Sequence, residues 1–339
     1  MSHRYPVLVV SAVALTVMSA GVAACSSSSS GSGSGGSGSS GGGSSAAGKH
    51  LDLVVGTKSD DFYITMECGA EAEAKKLGVS LTVNGPADFS PSEQAPILDA
   101  VVASRPDALI VAPTDTKALN PELTRISAAG TKLVFVDTTT TDPSIAVSHI
   151  TSDNIGGGKL AADSLAAQIG GKGTVAVIDV NPGISTTDQR IQGFTDEMKA
   201  KYPGVTVLGT QYDNDSSATA ASQVASDIAA HPNLSGVFAT NVLSAQGAAT
   251  GVQHAGKSGS VKVATFDAEP QQIQALHSNT IQLAVAQDPY LEGQDGVEQA
   301  VDALTGKPTT ENIGTPLVAI TPKNVDAANI QPYIYKSSC

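Results

Sequence analysis

The chain predicts an α/β fold of doubly wound parallel sheets, on three observations. Short β-branched apolar runs recur from Leu51 onward, alanine-rich helical stretches lie between them, and nearly every run ends in a carboxylate, amide or hydroxyl. Apolar runs without alternation suit strands covered on both faces, as in parallel sheets. Strands alternating with helices imply βαβ units.

Taken in order, the strand-forming runs are 51–55, 108–111, 132–136, 174–178, 205–208, 236–239, 261–264 and 281–285. Segments 67–77 and 220–230 are two of the intervening alanine-rich helices. In such sheets ligands bind outside the carboxyl ends of the strands. The residues that follow each run therefore form the candidate site: 58–63, 113–115, 137–140, 181–190, 213–215, 240–241, 267 and 287–290. Helix capping explains part of this polarity, because Asp, Asn, Ser and Thr side chains accept from first-turn N–H groups. It explains less well Asp137, Asn241, Asp267 and Gln287, which stand directly at strand ends. Carboxylates accept from hydroxyls, amides do both, and arginine donates. With Phe62 or Tyr63 to cover an apolar C–H face, the set favours a polyhydroxylated ligand.

Ahead of this region, Arg4 precedes an apolar run that ends in Val22-Ala23-Ala24-Cys25. A basic start, an apolar stretch and small residues before a cut read as a secretory signal over 1–24. The run is shorter than the roughly 20 apolar residues that span a bilayer. Cys25 after the small residues resembles the lipobox of bacterial lipoproteins, in which the thiol is acylated and becomes the first mature residue. Residues 26–45 are only serine and glycine, and 25–48 is expected to be a flexible tether. About 20 such residues reach roughly 25 Å as a coil.

The formal charge of −13 offers a nucleic acid no counterion-release term and anionic lipid no basic patch, so neither is an expected partner. With Cys25 assigned to lipid, Cys68 and Cys339 remain, and two thiols outside the cytoplasm tend to pair. Such a bridge would staple the tail to an early helix, closing a loop worth on the order of 4–5 kcal/mol; two free thiols are the alternative. No metal site is expected. Asp213-x-Asp215 lacks the glycine and distal glutamate of a calcium loop and reads as a capped helix start. Gly156-Gly157-Gly158-Lys159 lacks the spacing and the Ser/Thr of a phosphate loop, and Gly31-Ser32-Gly33-Ser34-Gly35-Gly36 follows no strand. Without a nucleophile elbow, a His-Glu-x-x-His helix or a cofactor fingerprint, the chain is not expected to be an enzyme or to hold a cofactor.

At these residues the chain resembles the ribose-binding, type I periplasmic binding protein family, over about residues 51–320. The most specific match is Val147-Ser148-His149-Ile150-Thr151-Ser152-Asp153-Asn154, leading into Gly157-Gly158-Lys159. Ala112-Pro113-Thr114-Asp115, Arg190-Ile191-Gln192-Gly193-Phe194, Val237-Phe238-Ala239-Thr240-Asn241, Phe266-Asp267 and Ala286-Gln287 support it in the same order. The resemblance implies two similar doubly wound parallel-sheet lobes joined by a three-segment hinge, with sugar held between them. The first lobe would be 49–152 plus 288–319, the second 153–287 plus 320–339.

It further implies ligand contacts at Asp60, Phe62, Tyr63, Asp137, Arg190, Asn241, Asp267 and Gln287. Three positions depart from the ribose-binding pattern. Thr138 stands for an arginine, Ala112 for an asparagine and Asn214 for an aromatic. A site built to pair particular hydroxyls discriminates by about 10⁴ or more when one is unpaired. A pentose or a linear polyol of four to six carbons is therefore favoured over ribose itself. The expected protein is a monomeric, lipid-anchored solute receptor outside the cytoplasmic membrane, on its outer or periplasmic face, that delivers its ligand to an ABC permease. The alternative partner is a membrane sensor kinase or chemosensory system.

Overall fold

A computed structural model describes residues 46–339. The expected signal peptide 1–24, Cys25 and nearly all of the Ser/Gly tether lie outside the described residues. The chain first runs β1 (His50–Val54), α1 (Asp61–Leu77), β2 (Ser80–Asn84), α2 (Pro91–Ser104), β3 (Ala108–Val111), α3 (Asn120–Ala128), β4 (Lys132–Val136) and β5 (Ser148–Ser152). It continues through α4 (Asn154–Gln168), β6 (Gly173–Asp179), α5 (Ser185–Lys201), β7 (Val205–Val207), β8 (Gln211–Tyr212) and α6 (Ser217–Ala230). Then come β9 (Leu234–Ala239), α7 (Val242–His254), β10 (Lys262–Phe266), α8 (Pro270–His277) and β11 (Leu283–Ala286). The last elements are α9 (Pro289–Thr305), β12 (Asn312–Thr315) and β13 (Val318–Ile320).

These strands form two sheets of the same doubly wound order, β2-β1-β3-β4-β5-β12 and β7-β6-β9-β10-β11-β13. The pairings are parallel except that of β13 with β11. The chain passes between the sheets after Ser152, after Ala286 and after Thr315. The last passage lies at 316–317, so the expected lobe boundary at 319/320 falls inside β13.

All eight apolar runs lie on strands, and their cores explain why. Leu51, Leu53, Ile110, Val134 and Val136 face one side of the first sheet, while Leu109, Val111 and Phe135 face the other with Leu98 and Leu123. Full burial of each such side chain contributes about 1.5–3 kcal/mol. In the second lobe Val175, Val177, Phe238 and Phe266 pack against Leu165, Phe194 and Met198. Run 205–208 is a correction: β7 is a half-exposed edge strand, not one buried on both faces. The other edge strand, β2, alternates half-buried Leu81 and Val83 with exposed polar residues, and a search for continuous apolar runs passes over it.

Two glycines bring α4 and α5 together. A Cβ on Gly158 would strike the Arg190 carbonyl, and one on Gly193 would strike the Ile155 carbonyl. The glycine-rich stretch at 156–158 thus serves helix packing, and that packing places Arg190. Cys68 of α1 is disulfide-bonded to Cys339, with the two Cα atoms 5.3 Å apart. Among the described residues no helix is long and apolar enough to cross a membrane.

Candidate functional site

The carboxyl ends of both sheets meet at a cavity. The first lobe lines it with Thr57, Asp60, Phe62, Tyr63, Phe89 and Asp137. The second lines it with Val180, Ile184, Thr186, Thr187, Arg190, Asp215, Asn241, Asp267 and Gln287. The structure therefore brings together all eight residues chosen from the sequence as ligand contacts.

Each is held by its element. Asp60 caps α1, accepting from the Phe62 N–H at 2.7 Å, and so fixes the first turn that carries both aromatics. Phe62 and Tyr63 both line the cavity, edge to face with centroids 5.1 Å apart. The Tyr63 hydroxyl donates to Asp137 Oδ2 at 2.7 Å, and the ring stacks on Phe89. Asp137 and Asp267 follow β4 and β10 with φ of +57° and +75°. L-residues seldom adopt this left-handed backbone, and it turns both carboxylates out of their strands.

Arg190, expected to donate to ligand oxygens, is 3 % exposed and already heavily committed. Its Nε donates to Asn154 Oδ1 at 2.8 Å, Nη1 to the Thr240 carbonyl at 2.8 Å and Nη2 to Gln287 Oε1 at 3.0 Å. The guanidinium also lies 4.1 Å from the centre of the Phe266 ring. These bonds engage three of its five N–H groups, so at most one on each terminal nitrogen is left for a ligand. Gln287 in turn donates to Asp267 Oδ1 at 2.7 Å. Asn241 caps α7 through Oδ1 and donates to Asp215 Oδ1 at 2.8 Å, so it serves the helix as well as the cavity.

Electrostatically the site is acidic. Asp60, Asp137, Asp215 and Asp267 line it, and Arg190 is the one cationic side chain among the described lining residues. Burial pushes Asp137 up to about 6, although Arg190 and the Tyr63 hydroxyl pull the other way. Burial likewise raises Asp267, again opposed by Arg190. Asp60 is held well above the carboxylate range by burial and then by the neighbouring Asp267. An anionic ligand would meet this excess of carboxylate unpaired, whereas a neutral polyhydroxylated one supplies the donors that these oxygens accept.

Sequence reasoning missed Thr57, Phe89, Val180, Ile184, Thr186, Thr187 and Asp215 as lining residues. Ile184, Thr186, Thr187 and Asp215 stand in the strand-end segments already singled out, so position alone could have found them. Asp213-x-Asp215 leads into the start of α6, which Ser216 caps, and Asp215 itself lines the cavity. Phe89 follows the overlooked edge strand β2 and had no signal. Asp213 accepts from the Asp215 N–H at 2.8 Å and from the Ser244 hydroxyl at 2.5 Å, bonds that brace the loop. Among the described residues no cluster of His, Cys, Asp or Glu could hold a metal ion.

Two doubly wound lobes, linked by three passages and facing each other across a polar cavity, define a two-lobe solute-binding protein. Residues 51–308 match the periplasmic binding protein domain, and the chain belongs to that family. It resembles the ribose import binding protein of Bacillus subtilis, 29% identical over 273 residues, which cover 80% of this chain and 87% of the relative. It also resembles that of Escherichia coli, 32% identical over 255 residues covering 75% and 84%. Among solved structures, an ABC transporter solute-binding protein from Agrobacterium vitis with bound α-D-tagatopyranose is 43% identical with a TM-score of 0.84. That match covers 85% of this chain and 99% of the other. These relatives are binding proteins of transport systems, and this chain is a binding protein, not an enzyme.

Proposed function

We propose that the protein captures a small neutral carbohydrate between its lobes and delivers it to an ABC permease. The observation that carries this reading is the cavity itself, where acceptor-rich Asp137, Asp267, Asn241 and Gln287 face the aromatic walls of Phe62, Tyr63 and Phe89. Bridging both lobes, the ligand stabilises the closed form by its differential affinity. The relatives support the class: besides the tagatopyranose-bound neighbour, a solute-binding protein from Agrobacterium radiobacter holds D-arabinose, at 31% identity and a TM-score of 0.82.

A pentose or linear polyol remains the favoured cargo, because Thr138 and Asn214 supply neither the arginine nor the ring of ribose binders. Tagatose is the first hexose to set beside them. We place the protein outside the cytoplasmic membrane, as a monomer anchored through acylated Cys25, with the Ser/Gly tether giving the body room to reach its permease. A thermal-shift screen against pentoses, hexoses and linear polyols tests the reading. A ligand specific to the folded state adds about 2.7 kcal/mol at 100 times its dissociation constant. A clear rise in Tm with one of these compounds is expected; no rise with any of them overturns the carbohydrate assignment.

A further inference from the structure

The segment that follows β13 returns to the hinge side of the cavity and joins both lobes within a few residues. The Tyr335 N–H donates to the Ala268 carbonyl at 3.0 Å, in the second lobe. The next residue has already crossed: the Lys336 N–H donates to Thr65 Oγ1 of α1 at 2.7 Å. The Ser337 hydroxyl donates to Asp61 Oδ2 at 2.8 Å, and Cys339 closes the disulfide to Cys68 about two turns of α1 further on. Three passages make the hinge; this strap is a fourth connection, and it is covalently closed.

What the strap delivers is Tyr335, 3 % exposed. Its hydroxyl donates to Asp267 Oδ1 at 2.8 Å and accepts from the Gln287 N–H at 3.3 Å. Its ring meets Phe62 of the opposite lobe edge to face, with centroids 5.7 Å apart. One side chain thus touches three cavity residues without lining the cavity itself. With Gln287 Nε2 on the same oxygen, it anchors Oδ1 of the Asp267 carboxylate by two bonds.

We propose that Tyr335 is a positioning residue for ligand binding, which orients Asp267 and couples it to Phe62, and that the Cys68–Cys339 disulfide keeps it there by holding the strap across both lobes. A donor that pre-orients a ligand-facing acceptor contributes affinity by removing reorganisation from the binding step. The strap also ties α1 to the second lobe, so its release loosens the Asp267 and Gln287 strand ends even when no ligand is present.

The affinity part rests on the carbohydrate reading, and the ligand-free part does not; the test therefore has two arms on the whole protein. Hydrogen exchange without ligand compares wild type, Tyr335→Phe and the Cys68→Ser/Cys339→Ser pair. Faster exchange at 265–269 and 285–288 in both variants is expected, with the far edges of the sheets unchanged. Calorimetry with D-tagatose and D-arabinose forms the second arm. Tyr335→Phe, which keeps the ring and the fold, is expected to weaken binding about tenfold, and the cysteine pair at least as much. Wild-type exchange at those strand ends in both variants overturns the proposal, as does wild-type affinity in Tyr335→Phe. Were wild type to bind neither sugar while exchange changed as expected, the strap would stand and the choice of cargo would fall.

Discussion

Asp137 and Asp267 occupy corresponding places in the two lobes. Each follows the fourth strand of its sheet order, takes a left-handed backbone, and donates its own N–H to the neighbouring strand, at Ile150 and Val285. Each is also backed by a tyrosine hydroxyl, from Tyr63 and Tyr335. A non-glycine residue in this conformation costs on the order of 1–3 kcal/mol, which is tolerated where the side chain is needed. Replacing either with asparagine keeps the shape but removes charge-assisted acceptance, worth about 1.5–3 kcal/mol per bond. Asp137→Asn and Asp267→Asn are each expected to weaken ligand binding roughly 10- to 150-fold by calorimetry, with little loss of helical signal by circular dichroism. Both aspartates were legible in the sequence because they end apolar runs. Tyr335 was not, because the irregular segment that carries it has no periodicity and its role depends on a crossing that only the folded chain defines.

At the scale of elements, the crossing of α4 and α5 is the support for Arg190. Gly158→Val would set a branched side chain against the Arg190 carbonyl. A loss of about 1–3 kcal/mol in chemical denaturation is expected, together with loss of ligand binding as the guanidinium leaves Asn154 and Gln287. The hinge has its own node in Glu292 of α9, which is fully buried. Its Oε1 accepts from Ser152 at 3.2 Å and from Thr315 at 2.9 Å, one residue from each of the other two passages. Burial, then the nearby Asp137, holds its carboxyl well above the usual range. Glu292→Ala leaves the Ser152 and Thr315 hydroxyls only each other, 3.0 Å apart, with one donor unpaired, and is expected to destabilise the protein by about 1–3 kcal/mol, whereas Glu292→Gln, which can still accept, should lie near wild type in the same denaturation experiment. Buried strands were legible as continuous apolar runs. The edge strand β2 alternates with solvent-facing residues and was passed over, β7 registered as a run although half-exposed, and β8 and β12 are too short or too polar to register as such runs.

Taken whole, the molecule carries a set of carboxylates raised by burial. Burial puts Asp137, Asp179 and Asp213 at about 6 and Glu269 at about 7. An acid whose pKa is higher folded than unfolded binds more protons when folded, so its contribution is complete below about pH 4 and lost as pH rises through 6–7. The Tm of the ligand-free protein is therefore expected to fall between pH 5 and pH 8; a rise over that interval would show that these groups are not buried as described. Ligand hydroxyls that donate to Asp137 favour its charged form, so binding at pH 6 should release protons, read as a buffer-dependent heat. The duplicated α/β plan was visible in the rhythm of the sequence. The equal strand order of the two sheets and the fourth connection were not, since pairing order and long-range crossing leave no local pattern.

The most direct test of the central claim, that one small carbohydrate bridges both lobes, is calorimetric titration of wild type and of an Asp137→Ala/Asp267→Ala pair with the sugar that gives the largest thermal shift. One site near micromolar affinity, about −8 kcal/mol, is expected in wild type, with no measurable heat in the pair because one contact is removed from each lobe. Equal binding by both proteins would mean that the ligand sits elsewhere and would contradict the account.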